Sequence, residues 1–232
     1  MTVVAIHQPN FFPWLGYFHK IAAADRFVFL DDCPVQKTGS TWTSRVRLLF
    51  GGQPQWVTAP IMRAHGTQLI REVVFDEGRD WRKKLFGTLE VNYRKAAHYK
   101  ETMDFLEPLI ANRHTHLANY NIEAITALAA WLGIDVRKFE RGSALSVDAL
   151  GTLRLIELTR AVSGTVYLCG GGAGEYQDEK MFPDWGLSLK YQKFEHPTYR
   201  QIGDSDFVPG LSVIDALMNC GRVRTSRLLR GA

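Results

Sequence analysis

The chain has 232 residues, 46% of them hydrophobic and 22% charged, with 28 Lys and Arg against 24 Asp and Glu for a formal net charge of +4. Such a chain can bury a substantial core, and its composition excludes disordered, fibrous and disulfide-scaffolded classes. The charge is too mild for a typical nucleic-acid binder, and no run approaches the roughly 18 apolar residues of a membrane span.

The first segment reads strand, loop, helix, strand. Thr2 to Ile6 is short, β-branched and apolar, like a central buried strand. It stops at His7-Gln8-Pro9-Asn10, where Pro9 and Pro13 prevent regular structure. The opening MTVVAIHQPNFFPW lacks the basic-then-apolar form of a secretion signal. A helical pattern follows from Trp14, with Leu15, Phe18, Ile21 and Ala22 on one side. Arg26 to Leu30 is a second buried-type strand with Asp31 and Asp32 at its end. A strand-helix-strand unit of this length is the module of a parallel sheet.

Further along, Thr41 to Phe50 and Gln55 to Ile61 read as a hairpin turning at Gly51-Gly52 on the edge of the sheet. Leu69 to Phe75 reads as another short strand. A helical portion occupies about 80–132, with a break near Ala97-His98 and a helix from Leu117 to Leu132 that Gly133 stops. Then come a strand over Asp135 to Phe139, a helix over Leu153 to Val162, a strand over Thr165 to Cys169 and a strand over Leu187 to Phe194. Ser212 to Asp215 has the form of a capping box. The expectation is a single α/β domain over 1–232, predominantly parallel in its sheet, with flanking helices and an added helical portion.

Ligands of open parallel sheets bind beyond the carboxyl ends of the strands. Three polar clusters fall there. In the first, His7 sits in a stiff loop where an imidazole can exchange a proton or hold a phosphate oxygen, with Gln8 and Asn10 as neutral hydrogen-bonding groups and Lys20 in the following helix. In the second, Asp31 and Asp32 can orient an amine or a base, although neighbouring strand residues point to opposite faces. Lys37, Trp42 and Arg45 follow as a polar loop, the two basic groups suited to phosphate or carboxylate. The third is Gly170, Gly171 and Gly172 with Glu175 and Tyr176, which fits neither the Walker nor the dinucleotide pattern; its glycines allow close backbone approach to an anion, or simply tight packing. A later polar-aromatic stretch adds Tyr191, Gln192, His196 and Tyr199. No HExxH pattern is present, and the one HxH, His114-Thr115-His116, stands alone near a helix start as a weak metal signal. The three cysteines form no CxxC pair, Cys169 and Cys220 sit in apolar contexts as buried thiols, and a reducing cytoplasmic setting is expected. The basic tail Arg222, Arg224, Arg227 and Arg230 reads first as a solubilising helix.

The chain resembles the WbqC-like family. The resemblance lies in His7-Gln8-Pro9, Pro13 to Tyr17, Lys20-Ile21 and Phe29 to Asp32, then in Lys37, Trp42 and Arg45 and in Trp56 to Pro60. It continues through Tyr93 to Ala96, where Ala97 replaces the family's proline, and through Gly151-Thr152, Gly172-Ala173 with Tyr176, Tyr191-Gln192, His196-Pro197, Phe207 to Pro209, Leu211 to Asp215 and Asn219 to Gly221. It implies a bacterial protein connected with surface-polysaccharide or specialised-metabolite biosynthesis, and a pocket drawn from the first loop, the aspartates, the Lys37 to Arg45 loop and the His196 region. The opening strand, loop and helix also resemble the adenylate-handling module of HIGH-type nucleotidyltransferases, which implies a HUP-like nucleotide-binding topology, although the HxGH spacing is absent.

The leading expectation is a small-molecule transferase moving an aminoacyl or acyl group to an amino sugar, nucleotide sugar or metabolite intermediate. His7 or His196 would transfer protons, Asp31 or Asp32 would orient the amine, and the basic and glycine groups would hold negative charge. The alternatives are an ATP-dependent adenylating enzyme or ligase, and a non-catalytic binding protein partnered by a biosynthetic enzyme or carrier protein. The expected ligand is a phosphorylated, activated or amine-containing small molecule. The residues name no cofactor.

Overall fold

The apolar run Val3–His7 forms the central strand, β1, of a five-stranded parallel sheet. The structure is a computed structural model and describes residues 1–35, 42–62, 66–171, 177–203 and 206–231. Helix α1 (Leu15–Ala22) leads to β2 (Arg26–Phe29), and β3 (Arg45–Phe50) and β4 (Gln53–Thr58) follow. Next come the 3-10 turn Ile70–Glu72 and the helices α2 (Trp81–Tyr93), α3 (Tyr99–Ile110) and α4 (Leu117–Trp131). The second half holds β5 (Phe139–Arg141), the 3-10 turn Gly142–Ala144, α5 (Gly151–Ala161), β6 (Val166–Cys169), α6 (Met181–Asp184), β7 (Ser188–Tyr191) and α7 (Val213–Leu228). The expected α/β class, parallel sheet and helical portion are present. Among the described residues no helix is long and apolar enough to cross a membrane.

The sheet order is β5-β2-β1-β6-β7, with every pair parallel. The chain first steps outward from β1 through β2 to β5, then returns to the other side of β1 for β6 and β7. The order therefore reverses between β1 and β6. Strand alternation splits the apolar side chains between two layers. Ala5, Phe27, Phe29 and Leu168 face the larger core with Phe18, Ile21, Ile125 and Leu128. Val4, Ile6, Val28, Tyr167 and Cys169 face a smaller core with Ile156, Leu158 and Phe182. Both faces are covered, as a parallel sheet requires.

Four expectations need correction. The hairpin β3–β4 does turn at Gly51-Gly52, both at positive φ, but it forms a separate two-stranded sheet rather than an edge of the main one. Residues Leu69 to Phe75 are not a strand. They form a 3-10 turn flanked by isolated bridges, because their backbone is used locally and by the chain after β2: Arg71 N donates to Asp31 O at 2.7 Å and Ile70 N to Cys33 O at 3.0 Å. The strand expected at Asp135 to Phe139 begins only at Phe139, since the Asp135 carboxylate accepts from Arg137 N at 3.0 Å and from its guanidinium, which holds that segment as a turn. Finally, Ser212 caps α7 by accepting from Ile214 N at 3.2 Å, yet Asp215 does not complete a capping box. Its carboxylate turns inward, with Oδ1 accepting from Tyr93 Oη at 2.9 Å and Oδ2 from Tyr199 Oη at 2.8 Å and Gln201 Nε2 at 3.0 Å.

Helix α7 is kinked at Gly221, which has φ 71° and ψ 171°. This is a conformation essentially confined to glycine. A Cβ there would lie 2.5 Å from the His98 ring. Gly221→Ala is therefore expected to cost about 2–3 kcal/mol, combining backbone strain with displacement of the His98 side chain. Urea unfolding would read it, and a midpoint equal to wild type would refute it.

Candidate functional site

The reversal between β1 and β6 opens a crevice at the carboxyl ends of these strands, where His7 and Cys169 lie. In open α/β sheets this switch point is the place where ligands bind. The first loop is strongly braced. Phe12 is held at φ 40°, an unusual conformation for a non-glycine residue. Ser212 Oγ donates to Phe12 O at 2.7 Å and Val213 N to Pro13 O at 2.9 Å. Asn121, fully buried in α4, donates from Nδ2 to Pro9 O at 2.8 Å and to Thr43 O at 2.7 Å. Asn10 is buried in the same loop.

Lys20 is 3% exposed and reaches from α1 to the end of β1, where Nζ donates to Ile6 O at 3.0 Å. That is its one described hydrogen bond, so two of its three ammonium donors have no partner among the described residues. Burial pulls it down to about 8, against a smaller opposing influence from Cys169. His7 lies against the Tyr17 ring at 4.8 Å, with Nδ1 3.1 Å from Gln8 O. Burial first, then the Lys20 charge, push its imidazole down to about 3. His7 is therefore a neutral hydrogen-bonding group at neutral pH rather than a ready proton donor. Gln8 Nε2 donates to Cys33 Sγ at 3.1 Å, and Tyr17 Oη donates to Gln8 O at 3.0 Å. Burial raises the Cys33 thiol to about 11, so it lines the loop without being an activated nucleophile.

Because the folded His7 value lies below the ordinary 6.5, the unfolded chain binds a proton that the folded chain refuses. The contribution is complete above pH 6.5 and is lost as pH falls toward about 3. Its size is on the order of a few kcal/mol. His7→Gln should flatten this acid limb, measured as urea midpoints between pH 4 and 7. A limb as steep as that of wild type would count against His7 as its source.

Across from His7 and Lys20, Gly170 and Gly171 follow β6, and among the described residues nothing lies within 4 Å of where a Cβ would stand at either. Gly172, Glu175 and Tyr176, and likewise Lys37, lie outside the described residues. Tyr191, at the end of β7, donates to Glu179, and Gln177 Nε2 donates to Tyr191 Oη at 3.4 Å.

Asp31 and Asp32 lie beyond the end of β2 at Phe29, so strand alternation does not set their directions, and each has its own partners. Asp31 is fully buried, and its oxygens accept from Ser143 N at 3.0 Å and Ser143 Oγ at 2.9 Å. Asp32 pairs with Arg154 of α5 at 2.6 Å. Both grip the turn after β5, since a Cβ on Gly142 would lie 3.2 Å from Asp32 Oδ1.

The remaining candidates have partners of their own, and Gln192 stays at the end of β6, where its N donates to Cys169 O at 2.8 Å. His196 packs on Trp14 at 5.0 Å and Phe194 at 5.2 Å, and burial lowers its pKa. Gln192 Nε2 donates to Gly16 O at 2.7 Å and sits 2.9 Å from His19 Nδ1. Tyr199 belongs to the Asp215 network. Trp42 meets Trp56 edge-on at 4.8 Å, with the Arg45 guanidinium over Trp56 at 4.2 Å, forming an aromatic shelf beside the hairpin. Lys20 thus reaches the end of β1 beside His7, while Gly170 and Gly171 follow the neighbouring β6 and Asp32 the neighbouring β2. Sequence reasoning did not single out Tyr17, Asn121, Ser143 or Arg154. Of these Tyr17 falls within the Pro13 to Tyr17 match, whereas Asn121 shares its helix with Asn119, Glu123 and Thr126 and is not set apart by polarity.

A family model described as the WbqC-like protein family matches residues 8–227. The chain is 36% identical over 225 residues to an uncharacterized protein of Mycobacterium tuberculosis, and the match spans 95% of each. No solved structure matches. This parallel-sheet α/β chain belongs to the WbqC-like family.

Proposed function

We propose that this protein is a small-molecule transferase of a biosynthetic route, moving an aminoacyl or acyl group to an amino sugar, nucleotide sugar or metabolite intermediate, with the phosphate-bearing substrate seated between β1 and β6. The observation that carries the reading is the buried Lys20 ammonium at the switch point, with donors that have no partner among the described residues, beside the neutral His7 imidazole and across from the Gly170-Gly171 backbone. A cation held in place with donors to spare favours an anionic ligand. Neutral His7 can donate to a phosphate oxygen, and backbone amides of a glycine turn suit the same charge. Asp32, held by Arg154, flanks this crevice and would orient an amine.

A second reading, ATP-dependent adenylation or ligation, is favoured by the strand order. A first strand central to the sheet, followed by a histidine, is what a HUP-like nucleotide-binding topology would have. Purified protein would be offered nucleotides, nucleotide sugars and activated acyl donors in binding and mass-spectrometric turnover assays. Transfer without pyrophosphate release supports the first reading, and pyrophosphate release dependent on a carboxylic acid supports the second. Absence of nucleotide or phosphate-ester binding, or binding unaffected by Lys20→Met, would sink both in favour of a binding partner for a biosynthetic enzyme or carrier protein.

A further inference from the structure

An open depression of about 510 Å³ lies at the carboxyl ends of β5 and β2, on the same side of the sheet as the crevice. Adjacent strands are spaced by about 5 Å, so this depression stands roughly 10 Å along the sheet edge from the β1–β6 junction. That separation suits a second small substrate beside the first.

Its walls carry balanced charge. Arg141 ends β5, donates from Nη2 to Asn119 Oδ1 and lies 3.9 Å from Asp31 Oδ2. Asp31 is fully buried, so its charge is spent on Arg141 and Ser143 rather than offered to a ligand. Arg71 is different. Its backbone is pinned by Asp31 O at 2.7 Å, but its exposed guanidinium has no described hydrogen bond or ion pair. Beside it, Glu72 uses Oε2 to accept from Leu69 N at 3.0 Å, and Oε1 has no partner among the described residues. The first turn of α4 also faces the depression through His116 and Asn119, and no side chain caps that helix. A helix N-terminus adds about half a positive charge.

One guanidinium and a helix end can therefore take a carboxylate, and one carboxylate oxygen can take an ammonium, while Arg141 and Asp31 already neutralise each other. A dianionic phosphate would face the Glu72 carboxylate with only Arg71 and the helix end to offset it. A simple carboxylate would leave Glu72 unmatched. We propose that this depression is the binding site of a free α-amino acid, with its carboxylate at Arg71 and the α4 N-terminus and its ammonium at Glu72. As the second substrate's place it rests on the transfer or ligation reading above.

The test is calorimetric titration of the full chain with each of the twenty standard amino acids, and with acetate, methylammonium and inorganic phosphate. At least one amino acid should bind, with acetate and methylammonium at least tenfold weaker. Arg71→Ala should weaken that binding tenfold or more and Glu72→Gln several-fold. Both side chains are exposed, so both variants should melt as wild type does and bind nucleotide at the crevice unchanged. No amino-acid binding, acetate or phosphate binding as tight as the best amino acid, or unchanged binding by Arg71→Ala would each overturn the site. Nucleotide binding without amino-acid binding overturns this site alone. Amino-acid binding without nucleotide binding supports it and overturns the crevice reading.

Discussion

Lys20→Met is expected to make the protein more stable and to abolish binding of its phosphate-bearing ligand. The side chain is almost wholly buried, and its pKa falls from 10.5 to about 8 because burial disfavours the ammonium. A folded value below the unfolded one means that the contribution to stability is complete above pH 10.5 and lost as pH falls through about 8. At neutral pH the charged form thus costs about 3 kcal/mol of folding free energy. Methionine fills similar space without charge. It gives up the hydrogen bond to Ile6 O, worth about 1 kcal/mol. The net gain is about 2 kcal/mol, a rise in Tm of roughly 4–8 °C for a chain of this size. Removing the Lys20 charge also removes one cause of the low His7 value, so the imidazole should titrate at higher pH in the variant, visible by NMR. A stabilised variant that still binds nucleotide or phosphate ester as wild type does would show that the buried ammonium has no part in recognition.

That opposition between stability and binding was only half legible in the sequence. An apolar strand ending at His7-Gln8-Pro9 marks a stiff loop at a strand end, and helical spacing places Lys20 in the helix behind it. Periodicity does not say which face of a short helix a lysine joins, so its burial under β1 emerges only from packing. The place of Asp31 and Asp32 just past a buried strand is legible from the apolar run that precedes them. Their partners are not. Ser143 and Arg154 lie over a hundred residues away and arrive through the pairing of β5 with β2. Because β5 has only three residues and follows an Asp135-Arg137 turn, its pattern is too short to locate by alternation. The depression lined by Arg71 and Arg141 is hidden for the same reason, since it exists only once the order β5-β2-β1 is set. The polar-aromatic stretch around His196 shows what sequence leaves unsaid, namely that the Trp14 and Phe194 rings pack on its imidazole.

The same limit explains Asp215, whose position after Ser212 has the form of a helix cap while its side chain does something with a larger energetic consequence. Asp215→Ala is expected to destabilise the fold by about 3–5 kcal/mol, because three buried donors lose their acceptor at once. Those donors come from α2, the segment after β7 and the turn near Gln201, and Tyr93 Oη also accepts from Leu49 N of β3 at 2.9 Å. One carboxylate thus ties α7 to the hairpin and the helical portion, and Ser212 beside it holds the first loop at Phe12. Burial raises the Asp215 pKa above 3.8 despite the three donors. An acid raised in this way contributes its full stability below pH 3.8, and that contribution erodes as pH rises through the folded value. Asp215→Asn removes this pH dependence while keeping one carbonyl acceptor. It should therefore cost less than alanine, about 1–2 kcal/mol at neutral pH. Paired replacement Tyr93→Phe and Tyr199→Phe in the Asp215→Ala background should cost less than the sum of the separate changes, since the phenylalanines remove donors that alanine leaves stranded. Urea unfolding of the set measures this directly. Strict additivity, or an Asp215→Ala cost below about 1 kcal/mol, would mean the network is not a cooperative tie.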